Sequence, residues 1–565
     1  MNKSNTVAST GAALTVLSLA ILAIRLITLP FPDLVDTTEG RYAGVAQIML
    51  ERDDWVTPWI HIEGSDKPYL GKPPLHFWLV QASFLVFGYN NFAARLPSLI
   101  SGLGITAAIW WCCSTLLSQS AGLVAVSVLA SSCIFFFLSG AVVLDTTLTL
   151  GVTLALVGLL LSTRSRLAKY LAFAGTGLGV LVKGPLACVL VVGIALPWAV
   201  TYRILNKKWP KEVTGLPWLS GLALLLAITL PWYIWAEIRN PGFLKYFLWN
   251  ENFGRYLKSD YGDAYGTGHR QPFGTAWLMM VPALCPWSVL LPAMVVAFGR
   301  RALTKGALLT SISDPMIWFG LCWTFSCPVL LLGAEQYTAT YIMPSMPGFA
   351  LLSAALWEKS AKANWLSEGT IGKILNGGTV LMAFTFLVGS VISFWYGAHP
   401  LFSVAATLMS ATTLWLTINS ALKRPPLTSG STQARGALLV SILNLALLTC
   451  FTYGAAVLCF NNHLSNNRSS KRILELVKRD FVKDSPLLVA FPYYFPFSAR
   501  FYTTGVTEGN LTIKRLMPEE VATGQADLLI VRKRNLARLL GDRPNLSEVA
   551  SLGQWRVMKP SAPAE

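Results

Sequence analysis

Residues 33–75 read DLVDTTEGRYAGVAQIMLERDDWVTPWIHIEGSDKPYLGKPPL and lie between two long apolar segments, residues 8–30 and 94–117. Each apolar segment is long enough to cross a bilayer, which takes about 20 residues of helix. The stretch between them is therefore predicted to be a loop of a membrane protein. A mixture of carboxylates and cations at a membrane surface suits chemistry on a lipid-linked phosphate. The charged residues of this loop include Asp36, Glu39, Arg41, Asp53, Asp54, Asp66, Lys67 and Lys72.

The composition of the whole chain indicates an all-α polytopic membrane protein. Of its 565 residues, 53% are hydrophobic and only 13% are charged, whereas a soluble protein has about 25% charged residues. We interpret the net charge of +17 as basic cytoplasmic loops and sites for lipid phosphate, rather than as a nucleic-acid-binding surface. About thirteen spans are predicted, at residues 8–30, 94–117, 121–139, 144–163, 169–182, 185–202, 217–237, 273–299, 315–333, 340–357, 373–396, 401–421 and 436–460.

A change in composition after residue 460 predicts a second domain. Residues 1–460 hold the predicted spans, and residues 461–565 are more polar. Within the second part, residues 473–480 have the pattern of a helix, and residues 486–491 and 527–531 have that of short buried strands. We therefore predict a small α/β domain at residues 461–565.

Basic residues indicate which loops face the cytoplasm. If the N-terminus is cytoplasmic, basic residues fall in the inner loops, for example at residues 164–169 and 203–211. The two long charged loops, residues 31–93 and 238–272, then lie on the outer face. An odd number of spans puts residues 461–565 on that same face. Within the outer loops, residues 42–50 and 243–257 are predicted to lie along the membrane surface.

Several charged residues near the predicted outer face are candidates for function, because an unpaired charge beside lipid is costly. Glu39 and Arg41 place a carboxylate and a guanidinium side by side, and Lys72 lies on a segment stiffened by two prolines. Asp145 begins a predicted span, and Lys183 precedes a Gly-Pro turn. Each also has a structural interpretation: Lys72 would extend to the interface, and Asp145 would stabilise a helix N-terminus.

The second outer loop adds Glu251, Arg255 and His269, and Tyr341 begins a later span. His269 could serve as a ligand, an acid or a hydrogen-bonding residue. Because no second His or Cys lies at ligand spacing, the sequence predicts no metal site, and a divalent metal remains open. The chain has no phosphate-binding loop, dinucleotide fingerprint or nucleophile elbow, so chemistry on soluble nucleotides has no support.

A series of short motifs carries a resemblance to a known family. EGRYA, KPPL, LDTT, VKGP, ENFGRY, HRQP and TYIMP follow one another between residues 39 and 344. In this order they resemble bacterial GT-C glycosyltransferases of the protein mannosyltransferase-like family, which includes the lipid A aminoarabinose transferases. The resemblance implies a helical membrane fold with a periplasmic C-terminal domain in the bacterial inner membrane. It also implies transfer of a sugar from polyprenyl phosphate (undecaprenyl phosphate in bacteria) to a periplasmic acceptor, with lipid A or lipopolysaccharide as the leading candidate.

The same resemblance implies roles for individual residues. Thr38 is found where the family has the Asp of an Asp-Glu pair, so either Glu39 or Asp36 would supply the first-loop carboxylate. Asp145 would be the second carboxylate, and Lys183, Glu251 and His269 are further substrate contacts. Gly71 and Asn252 replace a Glu and a His of the aminoarabinose transferases. The donor phosphate would be surrounded by Arg41, Lys72, Arg255 and Tyr341.

Two other functions are compatible with the sequence. The acceptor could be a protein or another envelope glycan, since nothing in the sequence distinguishes these from lipid A. The chain could also be a transporter or flippase for lipid-linked sugars, although it lacks the internal repeats of many transporters. A structural subunit that recruits partners through residues 461–565 is a third interpretation.

Overall fold

The computed structural model describes residues 23–62, 65–254, 270–289, 314–363, 452–458, 460–482, 486–503, 511–516 and 526–560, together with isolated residues elsewhere. The predicted site residues Arg255 and His269 lie outside the described residues, and so do most of the residues of the first span and of the last three.

The described part of the chain is mostly helical. Five helices are long and apolar enough to cross a membrane, and their ranges are Asn91–Leu116, Leu186–Asn206, Trp218–Arg239, Pro315–Gly333 and Ala339–Lys359. The α-helices described within residues 38–363 are Thr38–Glu51, Leu75–Phe87, Asn91–Leu116, Gln119–Ala130, Cys133–Leu138, Leu144–Leu160, Arg166–Lys183, Leu186–Asn206, Lys211–Thr214, Trp218–Arg239, Phe243–Lys245, Thr275–Leu284, Pro315–Leu330 and Met346–Ala363. A multi-pass membrane protein is confirmed, whereas the number of thirteen spans stays a prediction.

Polar residues at helix starts explain several of these boundaries. The side chains of Asn90, Ser118 and Ser165 each accept a hydrogen bond from the backbone N–H three residues later. Such caps satisfy a donor that the first turn of a helix leaves without a partner. The span predicted at residues 121–139 is divided into Gln119–Ala130 and Cys133–Leu138, with Ser131 and Ser132 between them.

Two helices that carry site residues pack unusually closely. Leu144–Leu160 and Arg166–Lys183 form an antiparallel pair in which glycines face the partner backbone. A Cβ added at Gly158 would lie 2.5 Å from Ala172 N, and one at Gly175 would lie 2.5 Å from Ala155 N. Small residues allow such close approach in membrane helices. The pair therefore sets the start of one helix firmly against the end of the other.

The first loop is folded rather than extended along the membrane surface. Its strands β1 (Trp59–Ile62) and β2 (Ser65–Pro68) pair antiparallel. The helix Thr38–Glu51 contains the predicted helix 42–50, but residues such as Tyr42, Val45 and Met49 are buried. It lies between the helix Leu75–Phe87 and the helix Phe497–Thr503. The predicted helix at residues 42–50 is confirmed and is covered by protein on two sides, whereas its place along the membrane surface stays a prediction.

The C-terminal part forms a five-stranded sheet with the order β4-β3-β5-β7-β6. Strands β3 (Leu487–Pro492), β4 (Leu511–Leu516) and β5 (Leu528–Arg532) are parallel, and β7 (Trp555–Pro560) pairs antiparallel with β5 and with β6 (Leu546–Leu552). The strands predicted at residues 486–491 and 527–531 are confirmed. The predicted helix at 473–480 is also confirmed, within Lys471–Phe481. The remaining helices here are Asn461–Arg468, Phe497–Thr503 and Lys533–Asp542.

The helices of the C-terminal part and the first loop are joined by polar contacts. Lys471 Nζ lies 3.0 Å from Asp33 Oδ1, and Arg500 Nη2 lies 2.7 Å from Glu51 Oε2. In both pairs, a cation after residue 460 meets a carboxylate of the first loop. These pairs explain why several acidic residues of that loop face protein rather than solvent.

Candidate active site

A buried ion pair joins two of the predicted site residues. Asp145 lies in the first turn of Leu144–Leu160, and Lys183 is the last residue of Arg166–Lys183. Lys183 Nζ donates to Asp145 Oδ1 over 2.6 Å, and each side chain is less than a tenth exposed. Since the close helix packing brings these two helix ends together, the position of each charge is fixed by the backbone. Asp145 therefore has a charged partner beyond its favourable place at a helix N-terminus.

Tyr341 lies on the same ion pair. It belongs to the short 3₁₀ segment Ala339–Ser345, and its ring centroid is 4.1 Å from Lys183 Nζ. A cation over an aromatic ring is attracted by the electrons of the ring face. Three predicted residues from distant parts of the sequence thus meet at one place.

Glycine at position 184 allows this arrangement. Gly184 has φ +64°, and a Cβ there would lie 2.5 Å from the Phe247 ring. A side chain would be strained in the left-handed region and would also displace Phe247. The turn after Lys183 and the packing of the second outer loop therefore depend on the same residue.

Lys72 is paired with Glu251 of the second outer loop. The two side chains form a short ion pair, and Lys72 Nζ also donates to its neighbour Gly71 O over 2.8 Å. Glu251 lies on a π-helical segment, Tyr246–Gly254, in the region predicted to lie along the membrane surface. Segments of this kind are often found at functional sites. Phe247 of the segment is buried, whereas Trp249 and Phe253 are exposed.

Arg41 presents a guanidinium with unused hydrogen-bonding capacity. Its Nη2 lies 3.5 Å from the Tyr42 hydroxyl, and its Nε is buried with no hydrogen-bond partner among the described residues. Burial lowers the pKa of Arg41, but Tyr42, Tyr69 and the Glu251 carboxylate raise it above its ordinary value. A buried donor without a partner is uncommon in proteins, and an anion would satisfy it.

Tyr42 lies between Arg41 and the Asp145–Lys183 ion pair. Its hydroxyl faces Arg41, and it is close enough to Lys183 to act on the charge of that side chain. Glu251 acts in the same way on Arg41. The predicted residues that the structure brings into one region are Arg41, Lys72, Asp145, Lys183, Glu251 and Tyr341.

Both carboxylate oxygens of Glu39 accept hydrogen bonds that fix the first loop in place. Arg95 donates to both of its oxygens over 2.8 Å, and the backbone N–H groups of Val35 and Val142 also donate to them. Burial raises the pKa of Glu39, but these partners lower it below its ordinary value. The geometry therefore favours a structural role, and a catalytic role for Glu39 stays a prediction.

Asp36 is held by the C-terminal part of the chain. Ser498 donates to Asp36 through its backbone N–H and its hydroxyl, each over 2.8 Å. Burial raises the pKa of Asp36 to about 6 against the lowering effect of Ser498 and Arg532. Its catalytic role also stays a prediction, since the contacts favour a role in holding the sheet on the first loop.

His76 is a buried residue of this region that sequence reasoning missed. Its Nδ1 lies 2.9 Å from Thr147 Oγ1, two residues after Asp145, and its Nε2 has no hydrogen-bond partner within the described ranges. The imidazole also lies within electrostatic range of the Asp145 carboxylate. The segment LHFWL gave no signal for this position, because a histidine in an apolar helix is usually a packed core residue.

The described residues contain no group of three or more His, Cys, Asp or Glu side chains placed to hold a metal ion. The region instead offers fixed cations and carboxylates. Cations held in a water-poor site stabilise a phosphate that leaves with negative charge. A carboxylate beside them can orient an acceptor or accept its proton.

Known proteins share the fold and part of the sequence of this chain. Residues 12–247 match the family of dolichyl-phosphate-mannose-protein mannosyltransferases. Over these residues the chain is similar to that family. The solved structure of ArnT from Cupriavidus metallidurans bound to undecaprenyl phosphate has the same fold, with a TM-score of 0.73 and 19% identity over 97% of this chain and 98% of that one. The apo structure of that protein gives a TM-score of 0.72 and 20% identity over 99% of this chain and 100% of that one.

Two bacterial arabinosyl transferases share more sequence with this chain than these solved structures do. The undecaprenyl phosphate-alpha-4-amino-4-deoxy-L-arabinose arabinosyl transferase of Erwinia tasmaniensis is 29% identical over 374 residues, which cover 63% of each protein. The protein of the same name from Yersinia enterocolitica is 30% identical over 61% of this chain and 59% of its own length. The chain thus aligns with less than two thirds of the length of these relatives.

Proposed function

We propose that this chain is an integral membrane glycosyltransferase that moves a sugar from a polyprenyl phosphate to an acceptor on the outer face of the bacterial inner membrane. The observation that carries this proposal is the buried ion pair of Asp145 and Lys183, which the half-buried ring of Tyr341 contacts. Arg41 and the Lys72–Glu251 pair lie in the same region. The names of the relatives, which describe transfer from undecaprenyl phosphate, support the same chemistry.

In the proposed reaction, the bond between the sugar and the donor phosphate breaks while the acceptor attacks the sugar. Arg41 and Lys72 stabilise the departing phosphate, together with Arg255 and Tyr341. Lys183 holds Asp145 in place, and Asp145 positions the sugar or the acceptor. Both carboxylate oxygens of Glu39 and of Asp36 accept hydrogen bonds from structural partners, whereas Lys183 donates to Oδ1 of Asp145 only. Asp145 is therefore the preferred carboxylate for this role.

The acceptor proposed is lipid A or lipopolysaccharide, by analogy with the aminoarabinose transferases. If the acceptor group is a lipid phosphate, it is already ionised, so the reaction needs no strong base. Gly71 and Asn252, which replace a Glu and a His of those enzymes, leave the identity of the sugar and the need for a divalent metal open.

The helix pair Leu144–Leu160 and Arg166–Lys183 supports the proposed orientation. Asp145 and Lys183 lie at one end of the pair, and the basic connection at residues 164–169 lies at the other. Because basic loops favour the cytoplasmic side, the site would face the periplasm. On this view, thirteen spans within residues 1–460 form the membrane domain, and residues 461–565 form a periplasmic domain above the site.

Mass spectrometry of lipid A tests the proposed acceptor. Lipid A from cells lacking this protein would lack a sugar that reappears when the wild-type protein is restored, but not when Asp145→Asn is supplied. Unchanged lipid A together with a lost modification on envelope proteins or another glycan would exclude lipid A and favour the other acceptors.

A further inference from the structure

Arg532 lies at the end of β5, and its ion pair among the described residues is a long one, with Asp36. The carbon at the centre of its guanidinium is 4.9 Å from the centroid of the Trp555 ring and 5.2 Å from that of the Tyr494 ring. The nearest recorded carboxylate oxygen is Asp36 Oδ2 at 3.9 Å, which is too far for a hydrogen bond. Both Asp36 oxygens already accept from Ser498. Two rings therefore hold this cation in place while its hydrogen-bonding donors remain available.

Polar atoms near Arg532 share an unusual property. Arg532 Nε, the Tyr494 hydroxyl and Arg41 Nε are all buried, and none has a hydrogen-bond partner in the described part of the chain. Buried donors are nearly always satisfied by protein, water or a ligand. The Arg532 side chain nevertheless keeps 14% of its surface exposed, so a ligand could reach it from outside.

The charges around Tyr494 favour an anion. Its phenol lies within electrostatic range of three cations, Arg41, Arg532 and Arg534, and of the carboxylate of Asp36. Three positive charges and one negative charge leave these four groups with a net charge of +2. Arg41 also belongs to the proposed donor-phosphate site, so the excess positive charge lies beside that site.

We propose that Arg532 and Tyr494 form a second anion-binding subsite, next to Arg41, that takes a phosphate on the head group of the acceptor lipid. This inference rests on the proposed function. A planar guanidinium offers two parallel donors to phosphate oxygens, and a phenol adds a third. The sheet domain would then recognise the acceptor directly, and it would hold the acceptor close to the donor phosphate that leaves.

Binding measurements on the purified full-length protein test this subsite without requiring sugar transfer. The probes are diphosphoryl lipid A, lipid A stripped of both phosphates, and undecaprenyl phosphate. Arg532→Gln should weaken binding of diphosphoryl lipid A by at least about tenfold, the usual effect of losing a hydrogen bond to a charged group. It should leave the affinity for undecaprenyl phosphate unchanged. Arg538→Gln is the matched control, because Arg538 also stacks on a tyrosine of this domain, Tyr493, but is exposed.

Tyr494→Phe separates binding from folding. It removes a hydroxyl that has no partner within the described ranges, so the midpoint of thermal unfolding should not fall, while binding of diphosphoryl lipid A should weaken. The inference is overturned if Arg532→Gln and Tyr494→Phe bind diphosphoryl lipid A as the wild type does. It is also overturned if the wild type binds phosphate-free lipid A equally well, or if Arg532→Gln weakens undecaprenyl phosphate to the same extent. A third outcome separates the two proposals. If Arg532→Gln loses binding of diphosphoryl lipid A and the wild type binds it but transfers no sugar, the subsite is upheld and the proposed function is rejected.

Discussion

Lys183 Nζ lies 2.6 Å from Asp145 Oδ1, so the end of one helix is tied to the start of the one before it. Each charge is buried and has the other as its partner, and Tyr341 covers the lysine. Removing one member would leave the other as an uncompensated buried charge, which costs about 3–5 kcal/mol. Structure and proposed chemistry therefore depend on the same pair.

Replacing this pair separates its two roles. Asp145→Asn should lower sugar transfer by about a hundredfold or more, as expected for losing a group that acts in the transition state, and should also lower the unfolding temperature. The double variant Asp145→Leu with Lys183→Met should recover much of the stability, because an apolar pair has no desolvation cost. It should remain inactive. A stable double variant with wild-type transfer would contradict the role given to the pair.

Arg41 is expected to bind the donor phosphate directly. Arg41→Ala should weaken binding of undecaprenyl phosphate by about tenfold to a hundredfold, because hydrogen bonds to a charged group contribute about 1.5–3 kcal/mol. Arg52→Ala is the matched control. Arg52 lies in the same loop and stacks on Trp59, but its side chain is 43% exposed. Equal affinities for both variants and the wild type, measured by titration of the purified proteins, would remove Arg41 from the phosphate site.

Glu251 is expected to compete with the donor phosphate for Lys72, since both are anions and the carboxylate already forms an ion pair with the lysine. Glu251→Gln should therefore tighten the binding of undecaprenyl phosphate several-fold, and Lys72→Ala should weaken it. The same titration checks both variants. If Glu251→Gln weakens binding as strongly as Lys72→Ala does, then Glu251 holds the lysine in position instead of competing for it.

The site residues that could be predicted from the sequence are charged residues next to apolar segments. Lys72, Asp145 and Lys183 each interrupt or end an apolar run, and the cost of such a charge beside lipid makes it conspicuous. Which residues pair could not be predicted. The contacts of Lys183 with Asp145 and of Lys72 with Glu251 arise from tertiary packing between residues 38 and 179 positions apart in the sequence.

The sequence was least informative for side chains with tertiary partners. Residues 42–50 have the pattern of a surface helix, but helices from residues 75–87 and 497–503 bury them on both sides. Glu39 stands beside Arg41 in the sequence, yet its partner is Arg95. His76 had no motif. Strand β6 is mostly exposed and the first part of β7 is mostly buried, and neither strand has a clear alternation of buried and exposed residues. Strands β3 and β5 were predictable because they are continuous buried apolar runs.

Asp36 should give the protein a specific dependence of stability on pH. Burial raises its pKa from 3.8 to about 6. Because the folded protein then holds this proton to a higher pH than the unfolded chain does, the contribution of Asp36 to stability falls as the pH rises from about 4 to about 6. Asp36→Asn cannot ionise at this position, so its unfolding temperature should increase relative to the wild type across this range.

The difference between the two unfolding temperatures, measured from pH 4 to 7, isolates Asp36 from other carboxylates. Glu475→Gln is the control, because that side chain is 57% exposed and its removal should shift the curve little. Parallel curves for the wild type and Asp36→Asn would show that Asp36 has the same pKa in the folded and unfolded protein.

The most direct test of the proposed function is transfer by the purified full-length protein. Wild-type protein, Lys72→Ala and Asp145→Asn would each be incubated with defined undecaprenyl-phosphate sugars and lipid A, and the lipids analysed by mass spectrometry. We expect the wild type to release undecaprenyl phosphate and add one sugar to lipid A, and both variants to do neither. Movement of the intact lipid-linked sugar across vesicles with no transfer to lipid A, protein or glycan would contradict the account and identify a transporter instead.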